Sequence, residues 1–452
     1  MEAPILPQEI LDEITDCVAI GDPETLKGLS LTSNNHFLDR ARSHLFGTLH
    51  IFTDIPPKTL TILEENPTLF KYVRNIDIKF DFVSPEHVDL QTTLSRVVDH
   101  LTGLHKLNLT CHFYLEGTPW REFSPVSQVL IAKLIAYPIS HLSLAGFLDF
   151  PNQLLPPFHD LLRLEVGAFT SFSPTDAEYD GELTWRLKFL LYASSGHDGI
   201  PLLSFPCMRP AYSTLVIIDL HLENMEQHVD AWAFLQEIGE LGDTALEIIN
   251  LLYTQPLDSR HNVSECFYES IRAGRTLPSF PSLRYLGIDH TAHRHTETFG
   301  ALSLGSPFLP YFPSSVLTKT ALPLLEVLNF NFLTIWHGGV FTSTQLVTLR
   351  LGEEDYPGWD QLDLVLSDKC TLPRLQAARL LTMHKYHKNR SGPSLEEGKT
   401  LKEVCRKQRA ENPPPLPKAG ACVPLVDIGL EDTCSLFDKA ARNVLRTSYL
   451  ST

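Results

Sequence analysis

Several chemistries have no foothold in this chain. It has no glycine-rich phosphate loop of either common type, so nucleotide hydrolysis has no support. No G-x-S-x-G elbow is present for a serine hydrolase. The eight cysteines are scattered and form no C-x-x-C pair, which fits free thiols in a reducing compartment. No run approaches the length of apolar residues that spans a bilayer, and no basic, apolar leader is visible, so an intracellular address, cytoplasmic or nuclear, is expected. Basic residues are outnumbered: a net charge of −17 argues against a general nucleic-acid binder.

What is present describes a folded protein. The chain has 452 residues, 43% hydrophobic and 20% charged, enough for two or three domains or one long repeat array.

The first stretch reads as three short helices. Pro7 suits a first helical turn, and Ile10, Ile14 and Val18 fall four apart with Leu11 beside them. Gly21 ends that run, and Asp22-Pro23-Glu24 restarts it with an N-cap, a proline and an acid. Leu26, Leu29 and Leu31 are the apolar residues of the second helix. Asn34 or Asn35 can cap the third, which carries Phe37, Ala41 and Leu45. So short a unit has a marginal core and leucines to spare, which points to docking on something else.

These residues resemble the F-box: Leu6-Pro7-Gln8-Glu9-Ile10 with Ile14, then Asp22, Leu26, Leu31-Thr32-Ser33 and the closing Arg40-Ala41-Arg42-Ser43-His44-Leu45-Phe46. The ending looks especially like F-box proteins of mushroom-forming fungi. Thr32 and Asn34 depart from the family pattern. The resemblance implies docking on the Skp adaptor of a cullin ubiquitin ligase, through Leu6, Pro7, Ile10, Ile14, Leu26 and Leu31.

From about residue 70 an apolar triplet at i, i+3 and i+5 recurs. It reads Val73-Ile76-Ile78, Leu104-Leu107-Leu109, Ile139-Leu142-Leu144 and Leu161-Leu164-Val166. It returns as Tyr212-Leu215-Ile217, Leu246-Ile249-Leu251, Leu283-Leu286-Ile288, Leu325-Leu328-Phe330, Leu346-Leu349-Leu351 and, weakly, Leu375-Ala378-Leu380. The last two positions of each copy share one strand face. Helical spacing lies between copies, at Pro85–Leu101, Val126–Ala136, Val229–Leu241, Val263–Ala273 and Trp359–Leu366. This resembles the core of leucine-rich repeats, with stacking neighbours burying each strand face. An ordinary α/β domain with parallel strands gives the same alternation. The spacing is irregular, and the widest interval, holding Asp176–Gly199, reads as an insertion or mobile loop.

The expected fold is therefore α/β: a three-helix F-box over 1–52, an irregular leucine-rich-repeat solenoid with a mostly parallel sheet over 53–385, and C-terminal helices with a proline-rich connector over 386–452. Asn412–Pro417 reads as a spacer or a ligand for aromatic grooves. The helix around Leu436, Ala440, Val444 and Leu445 reads as a cap on the last repeat or a loose tail.

His290, His293 and His295 with Glu297 read as a solvated loop rather than a zinc site. Glu353, Glu354 and Asp355 with Tyr356 and Trp359 are the better target-contact candidates. No cofactor, metal, nucleic acid or membrane is expected. The functional expectation is a non-enzymatic substrate-recognition subunit of a Skp–cullin–F-box ligase with an unknown protein target. The alternatives are a binding scaffold not coupled to ubiquitination and an enzyme of unrecognised type.

Overall fold

A computed structural model describes residues 7–31, 35–52, 58–81, 95, 97–112, 117–155, 160–173, 186–193, 206–255, 277–295, 317, 322–337, 359–370, 372–387, 425–429 and 444. The fold is mixed α/β, and every described strand pairing is parallel. The chain divides into two compact units, Met1–Trp185 and Arg186–Thr452, a divide inside the stretch read as one repeat domain.

Unit 1 begins with three helices, α1 (Gln8–Gly21), α2 (Pro23–Leu31) and α3 (Asn35–Phe46). Strand β1 (Thr48–Phe52) follows within the stretch expected to be wholly helical. Next come α4 (Lys58–Glu65), a 3-10 turn at Pro67–Tyr72, β2 (Asn75–Asp81), β3 (Lys106–His112), β4 (Thr118–Pro119) and α5 (Pro125–Ile135). Then come β5 (His141–Ala145), β6 (Phe147–Leu148) and β7 (Arg163–Val166). Strands β1, β2, β3, β5 and β7 lie side by side in chain order.

Unit 2 contains β8 (Phe189–Tyr192), β9 (Ile217–Leu222), α6 (Met225–Glu240), β10 (Ile248–Gln255), β11 (Tyr285–His295) and β12 (Val327–His337). It closes with α7 (Trp359–Ser367), β13 (Ala377–His387) and β14 (Leu425–Gly429). These strands also pair in chain order. Parallel neighbours need a crossover between them, so every connection carries the chain back to the same end of the sheet.

The register explains the triplets. Ile76, Leu107, Leu142 and Leu164 are partners on successive strands, as are Ile78, Leu109, Leu144 and Val166, and all are buried. In unit 2 the equivalent row runs Leu190, Ile218, Ile249, Leu286, Leu328 and Ala378. A fully buried leucine contributes roughly 1.5–3 kcal/mol, so these rows dominate the packing.

Four expectations need correction. The copy read as Tyr212-Leu215-Ile217 is in fact Leu215-Ile218-Leu220, because Ile218, not Leu215, pairs with Ile249. The supposed insertion at Asp176–Gly199 contains β8, whose Leu190 and Tyr192 form an overlooked copy with Leu187 just before it. The C-terminal segment contributes β14, with Val426 and Ile428 in register with Ala378 and Leu380. His290, His293 and His295 lie within β11 rather than in a loop after it. Leu346, Leu349 and Leu351 lie outside the described residues, as do the helix expected at Val263–Ala273 and residues 85–94 and 96 of that expected at Pro85–Leu101.

One hydrogen-bond pattern repeats at the start of the strands. Gly47 O accepts from Arg74 N and Asn75 N; Arg74 O then accepts from His105 N and Lys106 N; His105 O accepts from Ser140 N and His141 N. In unit 2 the same step runs from Lys188 O to Val216 and Ile217, and from Val216 O to Glu247 and Ile248. It continues from Glu247 O to Arg284 and Tyr285, then from Arg284 O to Glu326 and Val327. Arg284 also bridges Glu247 (3.8 Å) and Glu326 (2.9 Å) with its side chain.

The helices start as their residues dictate. Ser124 caps α5 by accepting from Ser127 N at 3.2 Å. Asn224 caps α6 by accepting from Gln227 N, while the Gln227 side chain accepts from the N–H of Glu223, the residue before the cap. In unit 1, Phe80, Trp120, Phe123, Phe147 and Phe150 form an aromatic cluster with ring separations of 5.2–6.2 Å. Gly146 turns the chain there with φ +80°, and a Cβ on it would lie 2.2 Å from Cys111 O.

Candidate functional site

The three N-terminal helices form a unit with a small internal core and several exposed apolar side chains. Among its described residues, Leu11, Thr15, Leu26 and Ala41 are buried. Thr15 is the surprise: its hydroxyl donates to Leu11 O at 2.8 Å, so a polar side chain sits inside without an unmet hydrogen bond. The buried stripe of α1 therefore runs through Leu11 and Thr15, and Ile10 and Ile14 flank it on the open side.

Polar locks hold the helices together. Asp16 of α1 accepts from Arg40 Nε and Nη2 of α3, both at 2.7 Å, and lies 2.7 Å from His44 Nε2. The Arg40 guanidinium, then His44, hold the Asp16 carboxyl well below the usual carboxylate range. Asp22 caps α2 through the N–H groups of Glu24 and Thr25. Pro7 precedes α1 rather than joining its first turn, and its carbonyl accepts from Ile10 N and Leu11 N. Tyr72 donates its hydroxyl to Asp39 of α3, and Lys71 lies 3.6 Å from the same carboxylate. The helices are thus anchored to the 3-10 turn before β2.

Among the described residues of these helices, four large aliphatic side chains remain open: Ile10 at 43%, Ile14 at 42%, Leu31 at 84% and Ile20 at 89% exposure. Of the expected adaptor-contact residues, Pro7, Ile10, Ile14 and Leu31 are exposed. Leu26 is buried among the helices and serves their packing instead of an open surface. Leu6 lies outside the described residues. Ile20 was not singled out by its spacing; it stands at the end of α1, off the periodic face.

Of the expected target contacts, Glu353, Glu354, Asp355 and Tyr356 lie outside the described residues, and Trp359 is the first residue of α7. Among the described residues, no group of three His, Cys, Asp or Glu side chains is placed to hold a metal ion. No described helix is long and apolar enough to cross a membrane.

Comparison with known protein families finds no family model that matches this chain, and comparison with curated proteins finds no match.

Proposed function

We propose that the protein is a substrate-recognition subunit of a Skp–cullin–F-box ubiquitin ligase, with α1–α3 as the F-box and the strand array as an irregular leucine-rich-repeat domain that holds a protein target. The observation that carries this reading is the exposure of Ile10, Ile14 and Leu31 on a helical unit whose own core is already closed by Leu11, Leu26 and Ala41. Each such side chain gains roughly 1.5–3 kcal/mol when fully buried, so a partner's apolar groove is the natural cover. The chain itself performs no covalent step in this reading. It raises the effective concentration of a target lysine beside a charged ubiquitin carrier.

The test is capture of purified Skp adaptor by the full chain. The wild type should retain it, and an Ile10→Asp, Ile14→Asp double variant should lose it by at least tenfold while keeping its melting temperature. Equal retention by both chains, or none by the wild type, would overturn the reading.

A further inference from the structure

In unit 2 the sheet face opposite the leucine row is divided. Its first row, Phe189, Ile217, Ile248, Tyr285, Val327 and Ala377, is apolar and buried, and Val444 packs on it. Two residues further along the strands, the same face carries Asp219, Asn250, Gly287, Asn329 and Arg379 in register. Two residues beyond these stand His221, Leu252, Asp289 and Asn331. The apolar row is covered by the chain itself; the polar rows are not fully covered, since Asp219, His221, Asp289 and Asn331 all keep partial exposure.

Two side-chain acceptors in these rows lack a hydrogen-bond donor. Asn331 donates from Nδ2 to Asp289 Oδ1 at 2.6 Å, which fixes its amide with the oxygen turned away, because a carboxylate only accepts. Asn329 donates from Nδ2 to Tyr285 OH at 3.2 Å. Both Oδ1 atoms are buried without a hydrogen bond, and Asn329 as a whole is 7% exposed. Buried acceptors left unmade are uncommon in folded proteins. These two stand on one strand face at i and i+2, about 6.6 Å apart along the backbone. Beside them Asp289 offers a carboxylate, and Asp219 a second one across β10. Arg379 is in the same row, but it is 6% exposed and engaged within the fold.

We infer that Asn329, Asn331 and Asp289 form a subsite for an arginine side chain of a protein target. A guanidinium carries five N–H donors in one plane, so it serves two amide oxygens and a carboxylate at once. Its charge faces Asp289 and Asp219, two carboxylates that already share the site with Arg379 and with His221, whose Nε2 lies 3.5 Å from Asp219. A lysine ammonium offers three donors around a point and fits the row of acceptors less well. The inference rests on the reading of the strand array as the target-holding domain. It is separable from adaptor capture, because the residues involved belong to different compact units.

The experiment titrates the full chain with the blocked peptide Ac-Ala-Ala-Arg-Ala-Ala-NH2 and with its citrulline twin, which keeps the shape and loses the charge. The readout is the side-chain amide resonances of Asn329 and Asn331. The arginine peptide should shift both, and the citrulline peptide should bind at least tenfold more weakly. Asp289→Asn should weaken the arginine peptide at least tenfold, and Asn329→Ala several-fold with the carboxylate intact. Glu226→Gln, which removes an exposed acid on α6, should leave binding unchanged. Equal binding of the two peptides, absence of binding, or equal losses in Glu226→Gln and Asp289→Asn would overturn the inference. Adaptor capture by the same variants should match the wild type; loss of capture with intact arginine binding would instead strike the ligase reading.

Discussion

The two units build the same strand row with opposite chemistry. In unit 1 the row opposite the core reads Thr48, Asn75, Lys106, His141 and Arg163, all exposed or half-buried. Its members satisfy one another locally: Asn75 donates to Thr48 Oγ1 at 3.1 Å, and Arg163 pairs with Glu165 at 2.6 Å. In unit 2 the same row is Phe189, Ile217, Ile248, Tyr285, Val327 and Ala377, all buried. A strand that is apolar on one face needs one covering layer; a strand apolar on both needs two. Unit 2 therefore draws in Val444 from far along the chain, whereas unit 1 keeps a polar, partly exposed row on its second face.

The sharpest way to break this comparison is to exchange the two chemistries. Ile248→Lys places an unpaired charge in the buried row and should destabilise by about 3–5 kcal/mol. Lys106→Ile changes a half-buried surface position and should stay within about 0.5 kcal/mol. Chemical denaturation of both variants reads the difference; equal costs would erase the distinction between the units.

On the shared side the units should behave alike. Leu286→Ala in unit 2 and Leu142→Ala in unit 1 each remove a fully buried side chain and should cost about 2–5 kcal/mol, again read by denaturant midpoint. A much smaller loss in one would mean that its core row can collapse around the gap.

Two aspartates extend the contrast at smaller scale. Asp16 titrates below its unfolded value, so its contribution to stability is full above about pH 3.9 and is lost as pH falls through the lower folded value. Asp16→Asn should therefore cost up to about 1 kcal/mol at neutral pH, discounted because the pair is partly exposed, and the gap to wild type should close in strong acid. Thermal melts across pH check this. Asp289 titrates above its ordinary value because burial disfavours its charge. Its folded form is favoured at low pH, and that advantage fades as pH rises through the folded value. Asp289→Asn should thus leave stability at neutral pH unchanged or slightly raised. A clear loss there would show that the Asp289–Asn331 contact supports the fold more than a ligand site would require.

The same difference between units explains what the sequence revealed. In unit 1 the strands alternate apolar and polar, and the four triplets from Val73 to Val166 fall in the observed register. In unit 2 the run Leu215-Val216-Ile217-Ile218 fits the triplet in two phases, and only pairing with Ile249 selects one. Leu187-Lys188-Phe189-Leu190 was overlooked for the same reason, because apolar residues on both faces blur the period of two. The helical unit was legible in its caps and spacing, since Asp22-Pro23 begins α2 as its residues require. Its inside and outside were less so: buried Thr15 is polar by composition, and only its bond to Leu11 O lets it enter the core. The pair Asn329 and Asn331 carried no local signal, since what sets them apart is the neighbour each meets on β11.

The shared carbonyl that opens each strand has a bearing on how such a molecule can change. Lys188, Val216, Glu247 and Arg284 each fix where the following strand begins by clasping two consecutive N–H groups. The length of chain between clasps does not enter that geometry. Segments of any size can be spliced in or trimmed between one strand and the next, and the alignment of side chains across the sheet survives. Loop closure adds only about 0.6 kcal/mol for each doubling of such a segment. A lineage carrying this scaffold is therefore free to lengthen its connecting stretches while the ladder beneath them keeps its phase.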